Sequence, residues 1–150
     1  MKKKFLVAMI LGLASLAAVH AQDGYETGKI FDGNYFSKNE AYEVSVKGSD
    51  LSAYKLNRYR SISTVCGLET VKKVSGAVLK DAENATDIET EYRGEIPTYI
   101  LFRTFRVSPK NKHTYICFKA TPVEDEKYKI IVVWMTGDAT LEELKATFGK

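Results

Sequence analysis

The chain has 150 residues, of which 22 are basic and 19 are acidic, so its formal net charge is +3. A single domain of this size can bury a core without a metal or a framework of disulfides. The whole net charge lies in Lys2, Lys3 and Lys4, and the rest of the chain is formally neutral. This balance excludes the strongly basic character typical of proteins that bind nucleic acids or membrane surfaces.

The first residues have the layout of a secretory signal peptide. After the lysines an apolar run extends from Phe5 to Val19, and Ala21 then precedes Gln22. The run is shorter than the roughly 20 residues that span a bilayer, so we expect cleavage after Ala21 rather than a membrane anchor. The sequence therefore predicts a signal peptide at 1–21, export to the periplasm or the extracellular space, and no membrane span after its removal.

Residues 22–40 contain glycines and show no sustained period, which predicts an N-terminal tail or extended segment. Apolar side chains such as Ile30 and Phe31 are expected to pin its second half to the body as a turn or a short helix. A single domain is predicted at 41–150. It opens with a strand in AYEVSVKG, whose apolar and polar residues alternate and leave one face wet.

A second strand is predicted at 58–65, followed by a long amphipathic helix from Leu68 to Ala82 whose apolar residues recur every three or four positions. Gly76 inside this helix costs about 1 kcal/mol relative to alanine, which a close approach of helix and sheet would explain. Four more strands with short turns follow, as in an antiparallel meander. In the last helix Thr140 and Glu143 have the spacing of a capping box, so we interpret the preceding turn as structural rather than as an anion site.

The order of these elements predicts an α+β fold. We expect a single antiparallel β-sheet of about five or six strands, with the long amphipathic helix and the short C-terminal helix packed on it. The apolar stretch 130–135 is expected to be a central strand, covered on one face by the long helix and on the other by the N-terminal segment or the last helix.

Few residues offer catalytic chemistry. Cys66 and Cys117 could form a disulfide in an exported protein, or they could be two buried free thiols, and the sequence leaves both open. His113 is the one histidine after the signal peptide, so neither a metal site nor a cofactor is expected. It lies about 13 Å from Cys117 along one predicted strand, which excludes that pair as a nucleophile and base but leaves a pair with Cys66 open. The acidic row Asp87, Glu89 and Glu91 could do acid–base work, although a solvated sheet edge is the favoured interpretation.

Aromatic and cationic residues interleave in two stretches and form the candidate binding surface. Its members are Tyr54, Arg58, Tyr59, Arg60, Arg103 and Arg106. Such mixtures suit acidic peptides, sugars or anionic polysaccharides, because aromatic faces stack and guanidinium groups hydrogen-bond. The alternative, which we favour, is that the aromatic rings belong to the core and the arginines pair with neighbouring acids.

Four stretches resemble a known family. They are LSAYKLNRYRSISTV at 51–65, EYRGEIPTYILFR at 91–103, HTYICF at 113–118 and VVWMTGDATLEELKATF at 132–148. The chain resembles, from about Ile30 to Phe148, a family of small exported proteins from Bacteroides-type bacteria that is catalogued as a domain of unknown function. The resemblance implies an exported location and supplies no activity, ligand or catalytic residue.

The sequence therefore favours an exported, non-enzymatic domain that binds an envelope protein or a glycan, with its oligomeric state left open. The alternative is a small hydrolase with Cys66 or one of the acids at 87–91 as its nucleophile.

Overall fold

The structure is a computed structural model that describes residues 25–104 and 112–148; the predicted signal peptide lies outside these ranges. The helices are α1 (Glu26–Phe31), α2 (Leu68–Ala82) and α3 (Leu141–Phe148). The strands are β1 (Tyr42–Lys47), β2 (Leu56–Cys66), β3 (Ala85–Arg93), β4 (Ile96–Thr104), β5 (His113–Val123) and β6 (Lys127–Gly137). Two short 3₁₀ helices at Lys38–Glu40 and Ser49–Tyr54 flank β1.

The six strands form one antiparallel sheet in the order β1-β2-β6-β5-β4-β3. Strands β3 to β6 are the predicted meander, and β6 then lies between β5 and β2 as a central strand. Its apolar stretch is buried on both faces, because Val132 packs in one core cluster and Val133 packs in the other. The α+β fold with a single antiparallel sheet is confirmed.

One face of the sheet, called here the α2 face, is covered by α1 and α2. The buried side of α2 includes Val71, Val74 and Val78, which are fully buried among side chains from β2, β4, β5 and β6. The other side of α2 is exposed at Gly76, where an added Cβ would meet no atom within 4 Å. Close approach to the sheet is therefore the wrong explanation for this glycine.

The opposite face, called here the α3 face, is covered by α3 and by the 3₁₀ helix Ser49–Tyr54. Leu141 and Leu144 of α3 pack with Tyr115 and Met135 of the sheet. Of the two alternatives for this face, the last helix is the element observed, and the N-terminal segment packs with α2 instead.

The segment predicted as an N-terminal tail contains α1, which is held by a buried carboxylate from the end of α2. Asp81, which is 5% exposed, accepts hydrogen bonds from the backbone N–H groups of Glu26 and Thr27, both at 2.7 Å, and from Thr27 Oγ1 at 2.6 Å. The first N–H groups of a helix have no partner within it, so Asp81 caps α1 from a distant position in the sequence. Ile30 and Phe31 at the other end of α1 are fully buried.

Candidate functional site

Two of the predicted binding residues lie together on the α3 face. The rings of Tyr54 and Tyr59 both contact Phe148 at the end of α3, each with 5.8 Å between ring centroids. Tyr54 remains 45% exposed. This small aromatic cluster packs the end of α3 against β2, so its first effect is structural, and a binding role for it stays a prediction.

Arg60 lies on the opposite face. Its guanidinium carbon is 4.6 Å from the centroid of the Phe31 ring, and its Nε donates to Glu43 at 2.8 Å. Arg58 is exposed two positions earlier on the same strand. Because side chains alternate along a strand, the sheet separates these arginines from Tyr59.

Arg103 lies on β4, and its Nη2 donates to Asp87 of β3 at 2.5 Å. Two strands, β6 and β5, separate β4 from β2, so Arg103 is about 14 Å from the tyrosine strand. Arg106 lies outside the described residues. Among the residues that the structure describes, the predicted surface is thus divided between both faces and across the width of the sheet.

The two cysteines are free. Cys66 packs on the α2 face, whereas Cys117 is buried on the α3 face. Their partners on β6 are Tyr128 and Val133, so the two residues are also about 16 Å apart along the strand direction. A disulfide needs Cα atoms within roughly 7 Å, and the pairing that the sequence left open is not formed.

Burial raises the pKa of both thiols, and it raises that of Cys117 to about 11. A thiol with a raised pKa is mostly protonated at neutral pH, and the protonated form is a poor nucleophile. His113 is paired in register with Gly137, nine residues along β6 from the partner of Cys66, which separates the two by about 30 Å. The Cys66–His113 pair that the sequence left open is therefore excluded, and His113 instead contacts the Thr104 carbonyl through Nδ1 at 2.8 Å.

The acidic row lies on β3, which is an edge strand, as predicted. Asp87 pairs with Arg103, and Glu89 pairs with Lys145 of α3 at 2.6 Å. The side chains of Asp87 and Glu89 are 43% and 39% exposed. A general acid with a raised pKa instead lies in a pocket from which water is excluded. Asp87 and Glu89 line a recess of about 370 Å³ together with Thr140, Leu141 and Glu142.

The capping box at the start of α3 is confirmed. Thr140 N–H donates to Glu143 Oε1 at 2.8 Å, and Glu143 N–H donates to Thr140 Oγ1 at 3.1 Å. Hydrogen bonds from Lys55 and from the Thr140 backbone lower the pKa of Glu143 to about 2. A carboxylate already satisfies this helix terminus, in agreement with a structural turn.

A larger groove lies on the α2 face, between α2 and the β3–β4 hairpin. It has a volume of about 640 Å³. Its apolar lining includes Leu68, Leu79, Tyr92, Ile96 and Pro97, and its polar lining includes Lys72, Ser75, Arg93 and Glu95. Gly76 also lines it, and because glycine has no side chain, the space beside the helix at this position is unfilled.

The charged residues of this groove are unpaired. Within residues 25–104 and 112–148, the charged side-chain groups of Lys72, Arg93 and Glu95 form no hydrogen bond and no ion pair. Tyr92 is 53% exposed beside them. The groove thus combines an apolar floor with free cationic donors, which is the usual composition of a ligand site.

Sequence reasoning missed this groove, because its walls are distant in the chain. Lys72 belongs to the polar side of a helix, and Arg93 belongs to a hairpin end. Either pattern alone predicts only a solvated surface. The one local signal was Gly76, a helix-weakening residue on the exposed side of a helix, where packing does not require it.

The part of the chain that the structure describes contains no group of three or more His, Cys, Asp or Glu side chains able to hold a metal ion. No helix within the same ranges is long and apolar enough to cross a bilayer.

Comparison with known proteins identifies the chain at the level of a family. No curated protein and no solved structure matches it. A family model described as a family of unknown function (DUF6108) matches residues 14–148. Since this match covers most of the 150 residues, the chain belongs to the DUF6108 family of unknown function.

Proposed function

We propose that this protein is an exported, non-enzymatic binding domain of the cell envelope or the secreted fraction, and that it binds in the groove between α2 and the β3–β4 hairpin. The observation that carries the proposal is the groove itself. About 640 Å³ of space lies above an apolar floor and beside unpaired cations. Ligand sites in proteins have this size and this mixture of a largely apolar wall with a few polar groups.

The exported location is supported by the pattern of 1–21 and by the resemblance to exported proteins of Bacteroides-type bacteria. Its test is expression of the full chain in such a bacterium, followed by cell fractionation and mass spectrometry of the recovered protein. We expect a protein that begins at Gln22 in the periplasmic or extracellular fraction. An intact Met1 in the cytoplasmic fraction would contradict export.

The binding role is tested by filling the groove. Gly76 is exposed, and an added Cβ would meet no atom within 4 Å, so the helix accepts a side chain at this position. Gly76→Phe is expected to occupy the groove, and Gly76→Ala is its matched control, because it changes the same residue but leaves the space open. Each purified variant is immobilised and exposed to envelope extract and to envelope glycans.

A partner or glycan retained by the wild type and by Gly76→Ala, but lost with Gly76→Phe, supports the proposal. If the wild type, Gly76→Ala and Gly76→Phe retain the same partner or glycan equally, binding occurs elsewhere on the protein, and the proposed role of the groove is contradicted. Circular dichroism and urea unfolding of both variants confirm that the fold is intact.

The form of the hydrolase alternative that uses a cysteine nucleophile is disfavoured by the separation of Cys66 from His113 and by the raised pKa of both thiols. Thiol labelling of the folded protein tests it directly. We expect Cys117 to react only after unfolding and Cys66 to react slowly, since burial protects the first and the raised pKa slows the second. One rapidly reacting thiol at neutral pH would favour the hydrolase.

A further inference from the structure

We infer that the groove binds a small apolar carboxylate, whose apolar body lies on the floor between α2 and the β3–β4 hairpin and whose anionic group meets Lys72 and Arg93. This inference rests on the proposed function, because it names the class of ligand for the same groove.

The size of the groove selects a small ligand. Its volume of about 640 Å³ lies within the roughly 300–1,000 Å³ typical of small-molecule sites. A folded partner in a standard complex covers about 800 Å² of each protein, so it would contact much surface outside the groove, whereas a small molecule fits within it. The ligand that matches the space is therefore a molecule of low mass.

The floor selects an apolar body. Leu68 and Leu79 of α2 face the groove from one side, while Ile96 and Pro97 of β4 line it from the other. Tyr92 adds a half-exposed aromatic ring to the hairpin wall. A sugar ring would bring many hydroxyl groups onto this floor, and each buried hydroxyl without a partner is costly. An alkyl chain or an aromatic ring can pack against these apolar side chains without that cost.

The charges select one anionic group. Lys72 lies on the helix wall and Arg93 on the hairpin wall, and neither cationic side chain has a partner in the described part of the chain. Glu95 is the single acid among the lining residues, so the groove keeps a net charge of one positive unit. A carboxylate complements this charge, and the planar guanidinium of Arg93 can hydrogen-bond both of its oxygens.

The test uses three ligands that share one body and differ in charge. They are 4-phenylbutanoate, 4-phenylbutan-1-ol and 4-phenylbutylammonium, each titrated into the purified, isotopically labelled protein. Binding is followed by the backbone amide signals in NMR spectra, including those of Gly76 and Gly94. We expect the carboxylate to bind at least about tenfold more tightly than the alcohol, because a charge-assisted hydrogen bond is stronger than a neutral one. The ammonium ion is expected to bind most weakly.

Charge-removing variants locate the anionic group. Lys72→Gln and Arg93→Gln are each expected to weaken the carboxylate by about fivefold or more and to leave the alcohol within about twofold. Lys73→Gln is the matched control, since Lys73 is exposed on the same helix but does not line the groove. Gly76→Phe is expected to abolish binding of the carboxylate and the alcohol, and Gly76→Ala is expected to preserve both.

The outcomes separate the ligand class from the groove. Equal affinity for all three ligands, with loss of binding in Gly76→Phe, would show that the groove binds ligands but does not select a carboxylate. Tighter binding of glucuronate than of 4-phenylbutanoate would contradict the inference that the ligand has an apolar body. Carboxylate binding that is insensitive to Lys72→Gln, Arg93→Gln and Gly76→Phe overturns the inference, and the proposed function then depends on the envelope partner alone.

Discussion

Two recesses in the described part of the chain, one on each face of the sheet, differ in whether their charged side chains are paired. The smaller recess beside α3, about 370 Å³ in volume, contains Asp87 and Glu89, and each of them is paired with a cation. The larger groove beside α2 contains Lys72 and Arg93, whose side chains have no hydrogen-bond or ion-pair partner in the described residues. Paired charges complete a surface, whereas unpaired charges beside an apolar floor remain available to a ligand.

The packing of the two helices explains this difference. Helix α3 has eight residues and is tied at its start by the capping box and at its side by the Lys145–Glu89 pair. Helix α2 has 15 residues, and α1 closes one of its flanks through Asp81. Its other flank faces a hairpin that extends past it, and no side chain of α2 fills the space at Gly76. The open groove is therefore the flank that α1 does not cover.

The largest expected effect comes from removing the contact between Asp81 of α2 and the start of α1. Asp81→Ala removes three hydrogen bonds and leaves the fully buried Thr27 without its acceptor. We expect a loss of about 3 kcal/mol in the free energy of unfolding, measured by urea denaturation, because buried donors without a partner retain their desolvation cost. Glu83→Ala, an exposed change two positions later, is expected to stay within about 0.5 kcal/mol. A loss below about 1 kcal/mol for Asp81→Ala would show that α1 is held by its apolar residues alone.

The next effect tests the closure of the α3 face. The Tyr115 hydroxyl is fully buried and donates to the carbonyls at Gly137 and Ala139, at 3.1 and 2.5 Å. Tyr115→Phe keeps the ring but removes the donor, so we expect a loss of about 1.5 kcal/mol in thermal or urea unfolding. Tyr42→Phe is the matched control, because Tyr42 is 72% exposed, and it should change stability little. Equal stability of the Tyr115→Phe variant and the wild type would mean that this turn is held without the hydroxyl.

A third effect has the opposite sign and belongs to the open groove. Gly76→Ala adds a methyl group to an exposed helix position, where a Cβ meets no atom within 4 Å. Alanine is more favourable than glycine inside a helix, so we expect the free energy of unfolding to increase by about 1 kcal/mol. Gly137→Ala is the contrasting variant: its Cβ would lie 2.7 Å from the Cα of Leu56, and it should destabilise the protein. A destabilised Gly76→Ala variant would indicate that the groove is narrower than the structure shows.

The smallest effect depends on pH and lies at the start of α3. The hydrogen bond from Lys55 holds the pKa of Glu143 at about 2, below the ordinary value of 4.5. A folded-state pKa that is depressed contributes stability above the unfolded pKa, and this stability is lost as the pH falls toward the folded pKa. The stability difference between the wild type and Glu143→Gln should therefore shrink between about pH 4.5 and pH 2, as measured by urea unfolding at each pH. The neighbouring Glu142→Gln serves as the control, and a difference for Glu143→Gln that is constant over this range would contradict the shift.

The sequence patterns predicted most of the fold, and the reason is visible in single elements. The three- and four-residue spacing of Val71, Val74 and Val78 predicted α2 with its observed bounds. A helix that packs on a sheet buries one face, and the residues of that face recur every three or four positions. The alternation of apolar and polar residues in AYEVSVKG predicted the first strand, which the structure has at Tyr42–Lys47. The capping box at Thr140 is local in the chain, so two residues three positions apart, Thr140 and Glu143, were enough to predict it.

The candidate site was less accessible to sequence reasoning. Tyr59 and Arg60 are neighbours in the chain, and this proximity suggested one mixed surface, yet the alternation of a strand directs them to opposite faces. The disulfide had the same weakness. Cys66 and Cys117 have no spacing that predicts their distance, and only the register of β2 and β5 on β6 shows that they are too far apart.

The sequence by itself determined the elements of this protein, the antiparallel course of strands that are joined by short turns, and the local cap of its last helix. These depend on periodicity, on turn length and on contacts between residues a few positions apart. Only the tertiary structure decided that Asp81 caps α1 and that Lys72 and Arg93 line one groove. Those residues lie far apart in the chain, and their meeting depends on strand order and helix placement, which no local pattern records.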